Sequence, residues 1–445
     1  MSHTSIQIFL FCSSIISTIA ALSILPVDIF AQTKTPVEMF TEIENYTSER
    51  SKELISTGKR MTADVRDNIE DEKKSLAGKY AAAIAARPDL EKTDHYYLGR
   101  LWGTAGNEAK QLESMKKVLS EFQPDTKGDL IQSARSFVVV IASRRKQMSE
   151  AEAAFQLWKK GSPMVKTQQP VLQENLALGY YKNGDYEPAV NHAREAFALL
   201  KDLKAKTLVE KRDREQIYMN LVEVLAMSYR KSKDSDEALN ILAEARAESF
   251  AIPSTELYRK VMQFVEGSGF SEKKLMLKVE SYASADPAPE IVFKEWIGQE
   301  PVSLQELRGK VVLLDFWATW CGPCISTFPR LREWHKKYGS QDFVLIGVTQ
   351  YYGQQDRKKM TALQELDFLS SFKQKYKLPY PVAIVGPDEW RMKYGINAIP
   401  ATVLLDRSGV VRYIGIGSGA EESSNLKEMI EKVLKENKGI AVKQP

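Results

Sequence analysis

Cys321 and Cys324 stand in the stretch LLDFWATWCGPCISTFPRL, residues 313–331, with Gly322 and Pro323 alone between them. Two thiols at that spacing serve as half of a zinc site, as a structural disulfide, or as a pair that opens and closes to move electrons. Zinc takes four ligands, and the chain offers no second CxxC; the nearest histidine, His335, has no second histidine at ligand spacing. A static bridge over so short a loop constrains little of the unfolded chain. Redox exchange is therefore the favoured reading. The run VVLLDFW before the pair reads as a buried strand and the residues after it as a helix. Cys321 then opens that helix, where free N–H groups and the positive end of the dipole favour thiolate. Thiolate is the attacking species, and CxxC settings bring its pKa to between about 3.5 and 7. Cys324, one turn further in, can reach back to release a mixed disulfide. Cys321 is expected to be the exposed nucleophile and Cys324 the covered resolving thiol.

Asp315 is the third candidate for chemistry. Between VVLL and FW it should be buried, with a raised pKa and the ability to take the Cys324 proton; the competing reading is a solvated carboxylate at a strand end. Trp317 and Trp320 read as packing and as a cover for the disulfide. His95, His192 and His335 read as surface or helix-packing residues.

These residues need a frame. VVLLDFW (311–317), FVLIGVTQ (343–350), PVAIV (381–385), ATVLLD (401–406) and VVRYIGIG (410–417) are short, apolar and β-rich. Helical stretches at 321–338, 361–376 and 425–437 alternate with them, which predicts an α/β sheet. From about Val37 to Phe270 the composition differs: Ala, Leu, Lys and Glu dominate, with apolar residues at three- and four-residue spacing, a helical pattern. Ser149 and Glu152 suit a capping box, and Gly161 to Pro163 stops the helix that follows. Leu176, Ala177, Tyr180, Gly184, Tyr186, Ala189 and Ala196 are echoed by Leu225, Ala226, Tyr229, Ala238 and Ala245. That pattern resembles the tetratricopeptide repeat, though Ala189 and Ala238 are further apart than a strict repeat allows. Gly, Ser, Pro and Ala gather near 270–288, where a linker is expected.

The chain has 445 residues, 43% hydrophobic and 27% charged, with a formal charge of +4, an ordinary globular balance for two or three domains. It has no basic block with interleaved aromatics and no GxxxxGK[ST] loop, so nucleic acid and nucleotides are not expected partners. Ile6 to Leu25 contains no charged residue, and Ala31 offers a small residue before a cleavage point. That predicts a cleaved signal peptide, with an uncleaved membrane anchor as the alternative. Cleavage would remove Cys12 and leave only the CxxC pair.

At this point VVLLDFWATWCGPCISTFP resembles the active-site segment of the thioredoxin superfamily, in which a CxxC pair carries the redox chemistry. The likeness covers roughly 290–438. It implies that Asp315 is the buried acid beneath the resolving cysteine and that Pro329 kinks the active-site helix. It also implies that Ile399-Pro400, in GINAIPATVLLD, is a cis-proline facing the disulfide, and that Gly417 lines the same groove. Trp320, Gly322, Pro323, Ile399, Pro400 and Gly417 are then the expected substrate-binding residues. The section PEIVFKEWIGQEPVSLQELRGK and an inserted helix and strand at about 361–384 are similar to the exported TlpA/ResA-type thiol–disulfide oxidoreductases, although Asp315 is closer to plain thioredoxin.

The expected fold class is multidomain: a signal segment at 1–31, an all-α tetratricopeptide-like helical repeat region at 37–270, a linker at 271–288 and an α/β thioredoxin-like domain at 289–440. The expected function is an exported, extracytoplasmic protein-disulfide oxidoreductase. CGPC leans it toward reduction, because reducing thioredoxins lie near about −270 mV. No cofactor and no metal are expected. The expected partners are client proteins with thiols or disulfides and a membrane thiol electron donor, the helical repeats docking a client. Two other functions compete: a passive scaffold with a thioredoxin-like binding module, and a peroxiredoxin, for which the proline of its cysteine motif is missing.

Overall fold

The computed structural model describes residues 34–120, 128–162, 167–201, 203, 205–251, 254–271, 287–355 and 358–436. The expected signal segment, Cys12 and most of the expected linker lie outside the described residues. Two compact units divide between Asp185 and Tyr186.

The first unit is helical: α1 (Pro36–Ser56), α2 (Ala63–Ala85), α3 (Lys92–Thr104), α4 (Glu108–Ser120), α5 (Asp129–Arg144), α6 (Met148–Lys160) and α7 (Gln169–Asn183). Helix α1 opens on a reciprocal cap: the Glu38 N–H donates to Thr35 Oγ1 at 3.3 Å, and the Thr35 N–H donates to Glu38 Oε2 at 2.8 Å. The capping box expected at Ser149 and Glu152 does not form. Helix α6 starts at Met148 with no side-chain cap, which leaves Ser149 inside it. Met148 is a core residue alongside Ala151, and burying both draws the helix start forward. One core gathers Met39, Ile43, Tyr80, Ile84 and Leu101, and a second gathers Met115, Val139, Phe155, Trp158 and Leu176.

The second unit begins with α8 (Tyr186–Lys201), α9 (Leu208–Lys231), α10 (Ser235–Ala251) and α11 (Thr255–Ser268), each packed on the next. The echoed positions Ala189, Ala196, Leu225, Ala226, Ala238 and Ala245 are all buried, as helical repeats require.

The chain then builds β1 (Phe293–Ile297), β2 (Val311–Phe316), α12 (Gly322–Tyr338), β3 (Phe343–Gln350), β4 (Gln354–Gln355), β5 (Lys358–Lys359), α13 (Ala362–Lys375), β6 (Val382–Val385), α14 (Glu389–Tyr394), β7 (Ala401–Leu405), β8 (Val411–Ile416) and α15 (Ala420–Lys435). Six strands form a mixed sheet in the order β1-β6-β3-β2-β7-β8, and β4 and β5 make a separate ribbon. Strands β2, β3 and β6 run parallel, while β1, β7 and β8 are antiparallel to their neighbours. This is a thioredoxin-like domain.

Alternation along the strands sends side chains to two faces. Val311, Leu313, Leu345, Val382 and Leu404 pack with Phe328 and Leu331 of α12, Leu369 and Phe372 of α13, and Leu426 and Ile430 of α15. Val312, Leu314, Phe316, Val348, Val403 and Ile414 pack with Trp390 and Tyr394 of α14, and with Phe250 and Tyr258 from α10 and α11. The helical segment therefore covers part of the sheet's second face. It is also hydrogen-bonded there: Thr255 Oγ1 donates to the Gly395 carbonyl at 2.7 Å and Lys211 Nζ to the Met392 carbonyl at 2.8 Å. Ser254 Oγ donates to Glu215 Oε1 at 2.7 Å, and both residues are buried.

Candidate functional site

Strand β2 delivers the chain to the N-terminus of α12 through residues 317–320. Trp317 is buried and packs on Phe328 and Phe372. Cys321 is the N-cap of α12, in extended backbone, and its sulfur accepts the Cys324 N–H at 3.2 Å. Pro323 in the first turn suits a helix start, because its missing N–H would be unpaired there. Pro329 lies inside the helix. The two sulfurs are bonded, with 5.2 Å between the Cα atoms.

Exposure differs from the expectation for Cys321. In this oxidised pair it is 4% exposed against 0% for Cys324, so both are core atoms of one cluster. The large exposed side chain is that of Trp320, at 61%, whose ring meets Tyr352 edge-on with centroids 5.5 Å apart. Tyr352 is held in turn by the inserted helix: the N–H groups of Tyr352 and Gly353 donate to the two carboxylate oxygens of buried Glu365 at 2.7 and 2.8 Å.

The segment leading into β7 packs on the same cluster. Ile399-Pro400 is cis, and Ile399 packs against the cluster that contains both cysteines. Ala401 pairs with Phe316, which brings the start of β7 beside the end of β2. Gly417 (φ 96°) donates its N–H to the Pro400 carbonyl at 2.8 Å. Gly322 and Pro323 are exposed at the helix start. The expected site residues thus converge at one end of the sheet.

Asp315, also on β2, is 1% exposed, and its Oδ2 has no hydrogen-bond partner among the described residues. Desolvation pushes its carboxyl up to about 7, against the pull of the Arg330 guanidinium. A carboxyl of that pKa gains and loses a proton near neutrality, as a general base for a thiol requires. Tyr380 is buried close by, its phenol pushed up by burial and by the charge of Asp315. Arg330, Thr402, Glu422, Tyr352, Glu365 and Tyr380 do not announce themselves as site residues in the sequence.

A bonded dithiol at a helix start, with a buried acid that titrates near neutrality, can exchange disulfides. The family model and the curated relatives agree. The Redoxin family model matches residues 283–430, the span holding both cysteines. The thiol-disulfide oxidoreductase ResA of Geobacillus thermodenitrificans is 28% identical over 34% of this chain and 78% of its own. The thioredoxin-like protein YneN of Bacillus subtilis is 30% identical over 32% of this chain and 75% of its own. A solved thiol-disulfide isomerase from Corynebacterium glutamicum is 24% identical, covering 34% of this chain and 98% of that one, with a TM-score of 0.30. With 75% of that 30%-identical thioredoxin-like protein covered, and 70% of a 30%-identical ResA from Bacillus thuringiensis, the chain belongs to the thioredoxin-like family of thiol–disulfide oxidoreductases that includes ResA.

Proposed function

We propose that this enzyme is exported and reduces disulfides of client proteins, with Cys321 as nucleophile, Cys324 as resolving thiol and Asp315 as the base that serves Cys324. In the reduced enzyme the Cys321 thiolate attacks a client disulfide; a Cys321–client bond forms and one client sulfur leaves as thiolate. Asp315 takes the Cys324 proton, and the Cys324 thiolate attacks Cys321. The Cys321–Cys324 bond forms, the second client thiolate departs, and the pair has lost the two electrons the client gained. A dithiol donor at the membrane returns them. Ile399 and Pro400 bind the client backbone beside Trp320, and the helical repeats dock the client. The observation that carries this reading is the bonded pair at a helix start with an acid titrating near neutrality buried on the adjacent strand. The uncharged stretch Ile6 to Leu25 supports export; among the described residues no helix is long and apolar enough to cross a membrane.

Trapping tests the sulfur roles. Cys324→Ser, expressed in an exporting cell, should run with partners on a non-reducing gel and lose them on reduction, because the resolving thiol with its high effective concentration is gone. Cys321→Ser should trap almost nothing. Equal trapping by the two variants would refute the assignment.

A further inference from the structure

A second carboxylate stands behind the buried acid. Asp315 pairs with Thr402 across β2 and β7, and Thr402 pairs with Gly415 across β7 and β8. Directly paired residues share a face, so the three positions form one row beneath α12 and α15. Gly415 is bare for a reason: a Cβ there would lie 2.4 Å from Thr402 Oγ1 and 2.7 Å from Glu422 Oε1. Glu422, in the first turn of α15, reaches over that bare position, and its Oε1 accepts the Tyr413 hydroxyl at 2.7 Å.

Arg330 of α12 bears on both carboxylates. Its charge acts on Asp315 and on Glu422, and its Nη1 donates to the Ser418 carbonyl at 3.3 Å. Its Nε is buried with no hydrogen-bond partner among the described residues, like Asp315 Oδ2. A buried polar atom without a partner is destabilising, and a redox or catalytic role is one reason for such an atom to persist.

We propose that Arg330 and Glu422 are positioning residues for the exchange reaction, the series Asp315–Arg330–Glu422 governing when the Asp315 carboxylate is free to take the Cys324 proton. The inference rests on the reading of Asp315 as base. Burial alone would hold Asp315 protonated past neutrality; the Arg330 cation opposes that, and Glu422, its own carboxyl raised by burial but drawn down by the same cation, offsets part of that charge where it is ionised. Across the sheet Asp315 is paired with Gly347 of β3 and the neutral Thr402 of β7. Tyr380, ahead of β6, stays a neutral phenol. Arg246 of α10 and Tyr258 of α11 act on Tyr413, and Glu421 acts on Glu422.

The test is the pH profile of insulin-disulfide reduction by the full chain. In the wild type the rate should rise through a midpoint near about 7. Arg330→Gln should move the midpoint up by about one pH unit, and Arg330→Lys should restore it. Glu422→Gln should move it the other way, by roughly half a unit. Damage to packing would not produce shifts of opposite sign. In an Asp315→Asn background neither substitution should move the profile. If Arg330→Gln fails to fold in a circular dichroism melt, Arg330→Lys and Glu422→Gln carry the decision. Midpoints that stay put, or that move in the same direction, overturn the inference while an altered Asp315→Asn profile leaves the base intact. An Asp315→Asn profile identical to wild type would remove the base and the inference with it.

Discussion

Asp315 can be charged in the folded protein only against the cost of burial. Its proton is held up to about pH 7 in the fold and up to 3.8 ordinarily. Between those values the folded state binds the extra proton, so stability falls as pH rises through that window and is lowest above it. The gap corresponds to about 4 kcal/mol. Unfolding of the oxidised wild type in denaturant, compared with Asp315→Asn from about pH 4 to about pH 8, should show a loss of that order in the wild type alone. Parallel stability profiles would mean that Asp315 is solvated. At this scale the chemistry-bearing residues are legible in the sequence: CGPC and an acid inside an apolar run announce themselves locally. Arg330 and Glu422 are not, because Glu422 matters only once Gly415 leaves room for it and the sheet brings β8 beside β7.

Elements are legible where pattern and burial agree. VVLLDF and FVLIGVTQ, buried nearly throughout, form β2 and β3 as their composition predicts. Strand β1, FKEWI, gives no such signal because it is a half-exposed edge with a charge at its centre. Helix α14 gives none either. It is six residues long, and Asp388 and Gly395, at φ 62° and 57°, bound it. That end supports a comparison of two glycines. A Cβ at Gly395 would sit 2.6 Å from Ser254 Oγ and 2.9 Å from Ser254 Cα, whereas nothing lies within 4 Å of one at Gly417. Gly417→Ala should cost only the left-handed backbone, about 1–2 kcal/mol. Gly395→Ala adds overpacking of about 1–3 kcal/mol. Thermal melts of the two variants should rank Gly395→Ala clearly the less stable; the reverse order would show that Ser254 yields freely.

Across the whole molecule the change from helix to sheet, between α11 and β1, is not where compactness divides. The second unit runs from Tyr186 and includes α8 to α11, whose Phe250 and Tyr258 cover apolar residues of the sheet. A protein beginning at residue 288 should melt well below one beginning at residue 186 and should bind a hydrophobic dye, because it bares part of that face. Equal melting temperatures for these two pieces would show that α10 and α11 merely rest on the sheet. Residues 36–185 should give a cooperative helical melt alone, having their own cores. The hydrogen bonds from Thr255 and Lys211 to the carbonyls of Gly395 and Met392 bear on inheritance as well. A catalytic stretch exchanged with a relative between α11 and β1 would arrive without the helices its Gly395 corner is shaped to meet. Residues 254 and 395 are therefore expected to change together over descent, the two stretches passing on as one hereditary unit.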